Sequence, residues 1–365
     1  MPNKFRGLLG KLGLLLGGTL LGIFIAEGTA RMIAPHQSAD LLFNSSDASP
    51  MNLYVVDKEL RVRPNTNLDT TIQSLDYTVQ LRTNSLGLRG PSVESISSEQ
   101  WIALGDSFTM SVQVNEEDSF AGLLGKEKGV HVWNGGVDGF STWQETLRLK
   151  QLAREIPIKR AILTFFTGND FQDNERFPAR ARMRLPAEDG TPIPRPHVGM
   201  GELFLLRHSF LYAHYRIWKK QQQVQSGKDM SRGNWADELQ IFSKSGEKRF
   251  RQLDTLTTQA LRDFKQTCQE LNIEPLVAIA PPAFVIDQAR AKPTFALVGL
   301  DSNNLALEAP QEKTKEILKK LKLPYCDLSE ALKQGDAPYL VFDGHWSKEG
   351  HQLVASALSK CLEPK

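Results

Sequence analysis

Four apolar runs constrain this chain more than any other feature: "WIAL" from Trp101, "VHVW" from Val130, "RAILTFF" from Arg160 and "PLVAIA" from Pro275. Each is too short for a stable helix and shows no polar face, the pattern of a strand covered on both sides. Helical patterns separate them. "DSFAGLLGKEK" opens on Asp118 or Ser119 as a cap, and "TWQETLRLKQLARE" sets Leu147, Leu149, Leu152 and Ala153 among polar residues. Further helices are expected over Arg251 to Leu271, over Gln311 to Leu321, and from Lys348 with Ser347 as cap. Strands that alternate with helices build a parallel sheet with helices on both faces.

The chain has 365 residues and a net charge of +2, enough to bury a large core and giving no reason to expect a nucleic-acid partner. Its three cysteines, Cys268, Cys326 and Cys361, are widely spaced and form no metal-ligand pattern, so small buried thiols are the default reading and a single disulfide the alternative. The amino terminus places Lys4, Arg6 and Lys11 around the start of an apolar run. That pattern predicts a cytoplasmic tail at 1–7, a transmembrane anchor at 8–26 and a stalk at 27–50, with the remainder exported across the inner, cytoplasmic membrane. Cleavage near Gly28 and Ala30, giving a secreted protein, is the alternative. Residues 51–100 carry short alternating stretches such as "YTVQLRTNS" and read as a β-rich extension. The α/β domain runs over 101–362. It is interrupted at 171–249 by a basic, aromatic-rich segment too long for a simple connection, and so a helical insertion.

Ligands in such sheets bind beyond the carboxyl ends of the strands. Three strand ends carry polar, glycine-containing turns: Gly105-Asp106-Ser107, Asn134 to Gly139, and Gly168-Asn169-Asp170. A fourth polar cluster, "DGHWSKEGHQ" from Asp343, lies before the last helix. Singly, each reads as a cap or a turn. Together they supply what acyl transfer to serine requires. Ser107 is the nucleophile. His345 is the base, with Asp343 fixing its tautomer. The oxyanion donors are the Ser107 and Gly139 N–H groups and the Asn169 side chain. Asp138 and Asp170 are candidates for substrate contact. His351 falls one turn into the last helix and reads as structural or solvent-facing. His131, His208 and His214 lie in elements away from strand ends and read as structural. No histidine spacing suggests a metal, and this chemistry needs no cofactor.

These four blocks, in this order, resemble the SGNH (GDSL-type) hydrolase family, and "LRTNSLGLRG" ahead of them is similar to the lead-in of its membrane-anchored bacterial members. The resemblance implies a three-layer α/β/α sandwich of flavodoxin-like type with a central parallel sheet of about five strands. It also implies ester hydrolysis or acyl transfer through Ser107, His345 and Asp343. Two departures stand out. The family usually has two residues between its last aspartate and histidine, whereas only Gly344 intervenes here, a spacing found in polysaccharide-acetylating relatives. In an extended segment, residues two apart point the same way, so Asp343 can still reach His345. Met110 to Gln113 also lack the glycine often found after the first block, which narrows the pocket beside Ser107.

The function expected is a serine esterase acting on an acylated small molecule, lipid or polysaccharide, with the membrane met through the amino-terminal helix. Transfer of an acetyl group to a glycan hydroxyl by the same residues is the enzymatic alternative. A non-catalytic glycan-binding role on the same fold is the third.

Overall fold

In a computed structural model of the chain, residues 2–33, 53–73, 77–193, 201, 204–205, 209–212, 215–216, 218–219, 235–340 and 343–363 are described. Helix α1 (Pro2–Ile33) runs through the expected tail, the expected anchor and the first part of the expected stalk, whose remainder at 34–50 lies outside the described residues. Among the described residues, no helix is long and apolar enough to cross a membrane. The uninterrupted apolar stretch between Lys11 and Glu27 covers 15 residues. Beyond that stretch, the Glu27 carboxylate accepts the N–H groups of Phe210 and Leu211 and the Ser209 hydroxyl, tying α1 to the insertion.

The extension forms two antiparallel hairpins, β1 (Tyr54–Asp57) with β2 (Arg61–Pro64) and β3 (Asp69–Gln73) with β4 (Thr78–Arg82). Along β4 the outward residues alternate with buried Val79 and Leu81, as period-2 patterning requires. These join Tyr54, Leu60 and Ile72 in an apolar cluster that also takes in Met110, Val137 and Phe140. The extension therefore packs on the loops that follow the first two strands of the main sheet.

That sheet is parallel and five-stranded: β5 (Gln100–Leu104), β6 (His131–Asn134), β7 (Ile158–Phe166), β8 (Glu274–Ala280) and β9 (Tyr325–Asp327), in the order β6-β5-β7-β8-β9. Its helices are α2 (Ser107–Met110), α3 (Phe120–Lys128), α4 (Thr142–Leu152), α5 (Asp170–Ala181), α6 (Trp235–Gln240), α7 (Glu247–Glu270), α8 (Ala309–Leu321) and α9 (Lys348–Cys361). Alternation along β5 shows why the run is apolar throughout. Ile102 and Leu104 join the core built with α4, α5, α7 and α8, while Trp101 and Ala103 join the core built with α3 and α9. Ser119 is the residue that caps α3, accepting the Gly122 N–H. A capping box of Ser141 and Gln144 starts α4.

Two arginines are paired across the described part of the insertion and its flanking helix. Arg249 binds Glu175 at 2.8 Å and Asp237 at 2.6 Å, and Arg176 binds Glu238 at 2.7 Å, clamping α5, α6 and α7. Phe204, Tyr215 and Trp218 of the aromatic stretch are exposed rather than packed in the core, whereas Phe210 is buried. His208 and His214 lie outside the described residues.

Two cysteines differ from the reading as free thiols. Cys326 on β9 and Cys361 at the end of α9 form a disulfide, and only Cys268 is a free buried thiol among the described residues. The bond closes a loop of 35 residues. Chain-entropy accounting for a loop of that size gives about 4 kcal/mol. Replacing both cysteines by serine should therefore lower the urea-unfolding free energy by about 2–4 kcal/mol, with the far-ultraviolet circular dichroism unchanged before the transition.

Candidate active site

The order β6-β5-β7 places the point where the strand order reverses between β5 and β7, where open α/β sheets bind ligands. Ser107 follows β5 directly as the first residue of α2. It is not the cap of that helix: Asp106 is, accepting the Phe108 N–H at 2.9 Å. Freed from capping, the Ser107 hydroxyl lies 2.7 Å from His345 Nε2.

His345 Nδ1 contacts Asp343 Oδ1 on its other side. The segment between them is not extended. Gly344 takes φ 78°, a left-handed conformation that favours glycine, and the His345 N–H turns back to Asp343 Oδ1 at 3.3 Å. This is an Asx turn, and it lets a spacing of one residue deliver the carboxylate to the imidazole. Leu340 N–H to His345 O, Tyr339 hydroxyl to Pro281 O at 2.6 Å and Arg290 to Leu340 O hold the loop from behind.

Two further side chains reach Asp343 that sequence reasoning did not single out. Gln113 Nε2 donates to its Oδ1 at 3.2 Å, and the Tyr77 hydroxyl donates to its Oδ2 at 3.4 Å. Tyr77 stands 266 positions from Asp343, so no local signal in the chain marks the pairing. Asp343 is buried, and these donors meet a carboxylate shielded from water.

At the end of β6, Val137 N–H bonds Gly105 O, which fastens the second turn against the first. Gly136 packs so tightly there that an added Cβ would lie 2.2 Å from Met110 N. Gly139 is needed for another reason: it takes φ 69° in open space, presenting its backbone at the surface of the site. Asn169 follows β7 at the start of α5. Among the described residues, neither the Ser107 nor the Gly139 N–H has a protein acceptor, and the Asn169 side-chain amide is likewise uncommitted. Donors left open beside a nucleophile are what a developing oxyanion requires.

Of the two aspartates read as substrate-contacting, one is corrected. Asp170 is fully buried with its Oδ2 accepting the Phe166 N–H at 2.8 Å, so it fastens the start of α5 rather than facing a ligand. Asp138 is partly exposed beside Gly139, its N–H donated to the Tyr54 hydroxyl at 3.3 Å. Beneath the site, burial raises the Asp106, Glu145 and Asp170 carboxyls above the usual carboxylate range; Asp106 adds to the shift of the other two, and Glu145 to that of Asp170. For His345, burial works to lower the imidazole's pKa. The Asp343 carboxylate, reinforced by Asp106 and Asp138, overcomes it and leaves the group above 6.5.

The second histidine of the quoted cluster behaves differently. His351 is buried against Phe120 and Trp346, and its Nδ1 accepts the Phe120 N–H at 3.3 Å. It joins α9 to α3 and is not solvent-facing. Burial, with Arg89 and His345 nearby, pushes its pKa down to about 3. His131 packs its ring edge-on against Trp133 in β6, remote from the site.

No family model and no curated protein matches the chain. Among solved structures, it is similar to a putative lipolytic protein of the G-D-S-L family from Desulfitobacterium hafniense, with 16% identity and a TM-score of 0.40 over 72% of this chain and 99% of that one. It is also similar to the esterase EstA from a Pseudoalteromonas species, with 9% identity and a TM-score of 0.37 over 72% of this chain and 96% of the other. A third is a variant of Axe2, an acetyl-xylooligosaccharide esterase from Geobacillus, with 11% identity and a TM-score of 0.38 over 74% and 96%. Overlaps this partial do not assign a reaction; the geometry of the side chains has to do so.

Two outcomes test that geometry. The kcat/KM profile for an ester should fall on the acid side through an apparent pKa above 6.5, because His345 must be neutral to accept the Ser107 proton. Asp343→Asn should move that limb to lower pH and reduce kcat by about a hundredfold or more. His351 governs stability instead. Its folded pKa lies below its unfolded value, so its contribution is present above about pH 6.5 and is lost as the pH falls towards 3. Urea unfolding should show a loss of about 2 kcal/mol between pH 7 and pH 5 that is absent from His351→Gln.

Proposed function

We propose that the chain is a serine ester hydrolase of the SGNH type. The observation that carries this reading is the unbroken chain from Ser107 Oγ to His345 Nε2, at 2.7 Å, and from His345 Nδ1 to Asp343, beside uncommitted N–H donors. His345 removes the Ser107 proton as Oγ attacks the ester carbonyl. Negative charge then develops on the carbonyl oxygen and is met by the Ser107 N–H, the Gly139 N–H and the Asn169 amide. Removing one such donor costs about 10²–10³ in kcat in a comparable serine hydrolase site. His345 next protonates the leaving alcohol, and water drawn through the same imidazole releases the acid.

The substrate class is an acyl ester, acetyl foremost, of a glycan or lipid. The Cys326–Cys361 disulfide supports placing this domain in an exported, oxidising compartment, since such bonds are rare where thiols are kept reduced.

Labelling with a fluorophosphonate separates this reading from a binding role. Wild type should be labelled and should hydrolyse p-nitrophenyl acetate, while Ser107→Ala should do neither. Equal labelling of the two proteins, or turnover that survives Ser107→Ala, removes the assignment.

A further inference from the structure

The segment "TNSLGLRG" ahead of β5 is not explained by the hydrolytic groups themselves, yet it builds a rigid clip. Asn84 Oδ1 accepts the N–H groups of Leu86 at 3.0 Å and Leu88 at 3.1 Å, and its Nδ2 binds Pro91 O. Gly87 closes the turn at φ 68°. The Arg89 N–H binds Asn134 O at 3.2 Å, fixing the clip to the end of β6. From there the Arg89 side chain, 1% exposed, passes into the protein.

Its guanidinium does not make a simple ion pair. Nη1 donates to Met110 O at 2.8 Å and to Ser111 O at 2.5 Å, and Nη2 donates to Val114 O at 2.9 Å. Nε lies 3.3 Å from Glu116 Oε2. Three carbonyls of one turn thus converge on one planar cation, a geometry that lysine cannot reproduce. The turn needs it, for Ser111 sits at φ 54° and ψ 40°, a left-handed conformation that a side chain with a Cβ adopts only under constraint. At the apex of the gathered turn is Gln113, whose amide donates to Asp343 Oδ1.

We propose that Arg89 is a positioning residue for the reaction, acting through the 110–114 turn and Gln113 to hold Asp343 against His345. The proposal rests on the reading of Ser107, His345 and Asp343 as the hydrolytic groups. One cation ties both ends of that chain, since the same turn leads directly out of the helix that bears Ser107. Weakening the guanidinium contacts lets the turn and Gln113 shift, Asp343 loses a donor and its alignment, and His345 loses the carboxylate that raises its pKa. The acid limb of activity then moves to lower pH, and kcat falls while KM holds.

The experiment compares Arg89→Lys, Gln113→Leu and the double variant. Arg89→Lys should lower kcat about 10- to 100-fold with KM within about twofold, as small misplacements of reacting groups do. The acid limb should shift down in both single variants. The double variant should lose much less than the product of the single losses, because the two act in series. The His345 imidazole titration, followed by NMR in labelled protein, should shift in the same direction without any turnover being measured. That reading separates the two possible failures: a silent esterase assay with a shifted imidazole overturns the function, not the positioning. A lower melting temperature with an unmoved imidazole titration and multiplicative losses makes Arg89 merely structural and overturns the proposal. Should Arg89→Lys not fold, Gln113→Leu leaves the three carbonyl bonds of Arg89 in place and breaks the same relay at its last link, the bond to Asp343. It must move the imidazole titration down, and no movement there also overturns the proposal.

Discussion

A carboxylate that is buried has to be met by donors, and Asp343 gathers its donors from every part of the molecule. His345 comes from the loop before the last helix, Gln113 from the turn after the nucleophile helix, and Tyr77 from the position just ahead of β4. Leaving any one acceptor site unfilled away from water costs about 1–3 kcal/mol or more. The arrangement of the hairpins on the sheet, and of the carboxy-terminal loop on both, follows from satisfying this one group together with the apolar cluster that joins Met110, Val137 and Phe140 to the hairpin residues.

The parallel sheet was legible because its strands are buried on both faces and so carry unbroken apolar runs. "WIAL", "VHVW", "RAILTFF" and "PLVAIA" are β5, β6, β7 and β8 with small shifts at their ends. The short β9 was less marked, having only three residues, one of them polar. Helix starts were legible where a hydroxyl does the capping, at Ser119 and Ser347. The amino-terminal helix was also legible as a helix, from the apolar run that follows Lys11.

At the site, the local signals worked and the distant ones were silent. Ser107 and His345, which the structure brings to 2.7 Å from each other, were legible because each sits in a polar turn just beyond an apolar run or just before a capped helix. Asp170 was misread because its neighbour faces the site while its own side chain folds back to Phe166. Tyr77 and Gln113 left no trace, as a tyrosine in an alternating strand and a glutamine in a loop are ordinary until the chain closes. The aspartate spacing was read through the wrong conformation: the left-handed turn at Gly344, and not an extended strand, makes the short spacing work.

Ser107 and His345 are 238 positions apart, and the loop between Asp343 and Trp346 is fastened by Tyr339 on Pro281 and by the helix that the disulfide pins to β9. The base and the loop that carries it therefore belong to the final part of the chain, while the nucleophile and the donors Tyr77 and Gln113 that meet Asp343 belong to the first part. Contacts of such long range form late, once loop-closure entropy has been overcome. A partly formed sheet, holding β5 to β8 but lacking the docked last helix, carries an exposed serine hydroxyl with nothing to activate it. On the proposed function, reactivity is thus a property of the completed fold, switched on by the last closure.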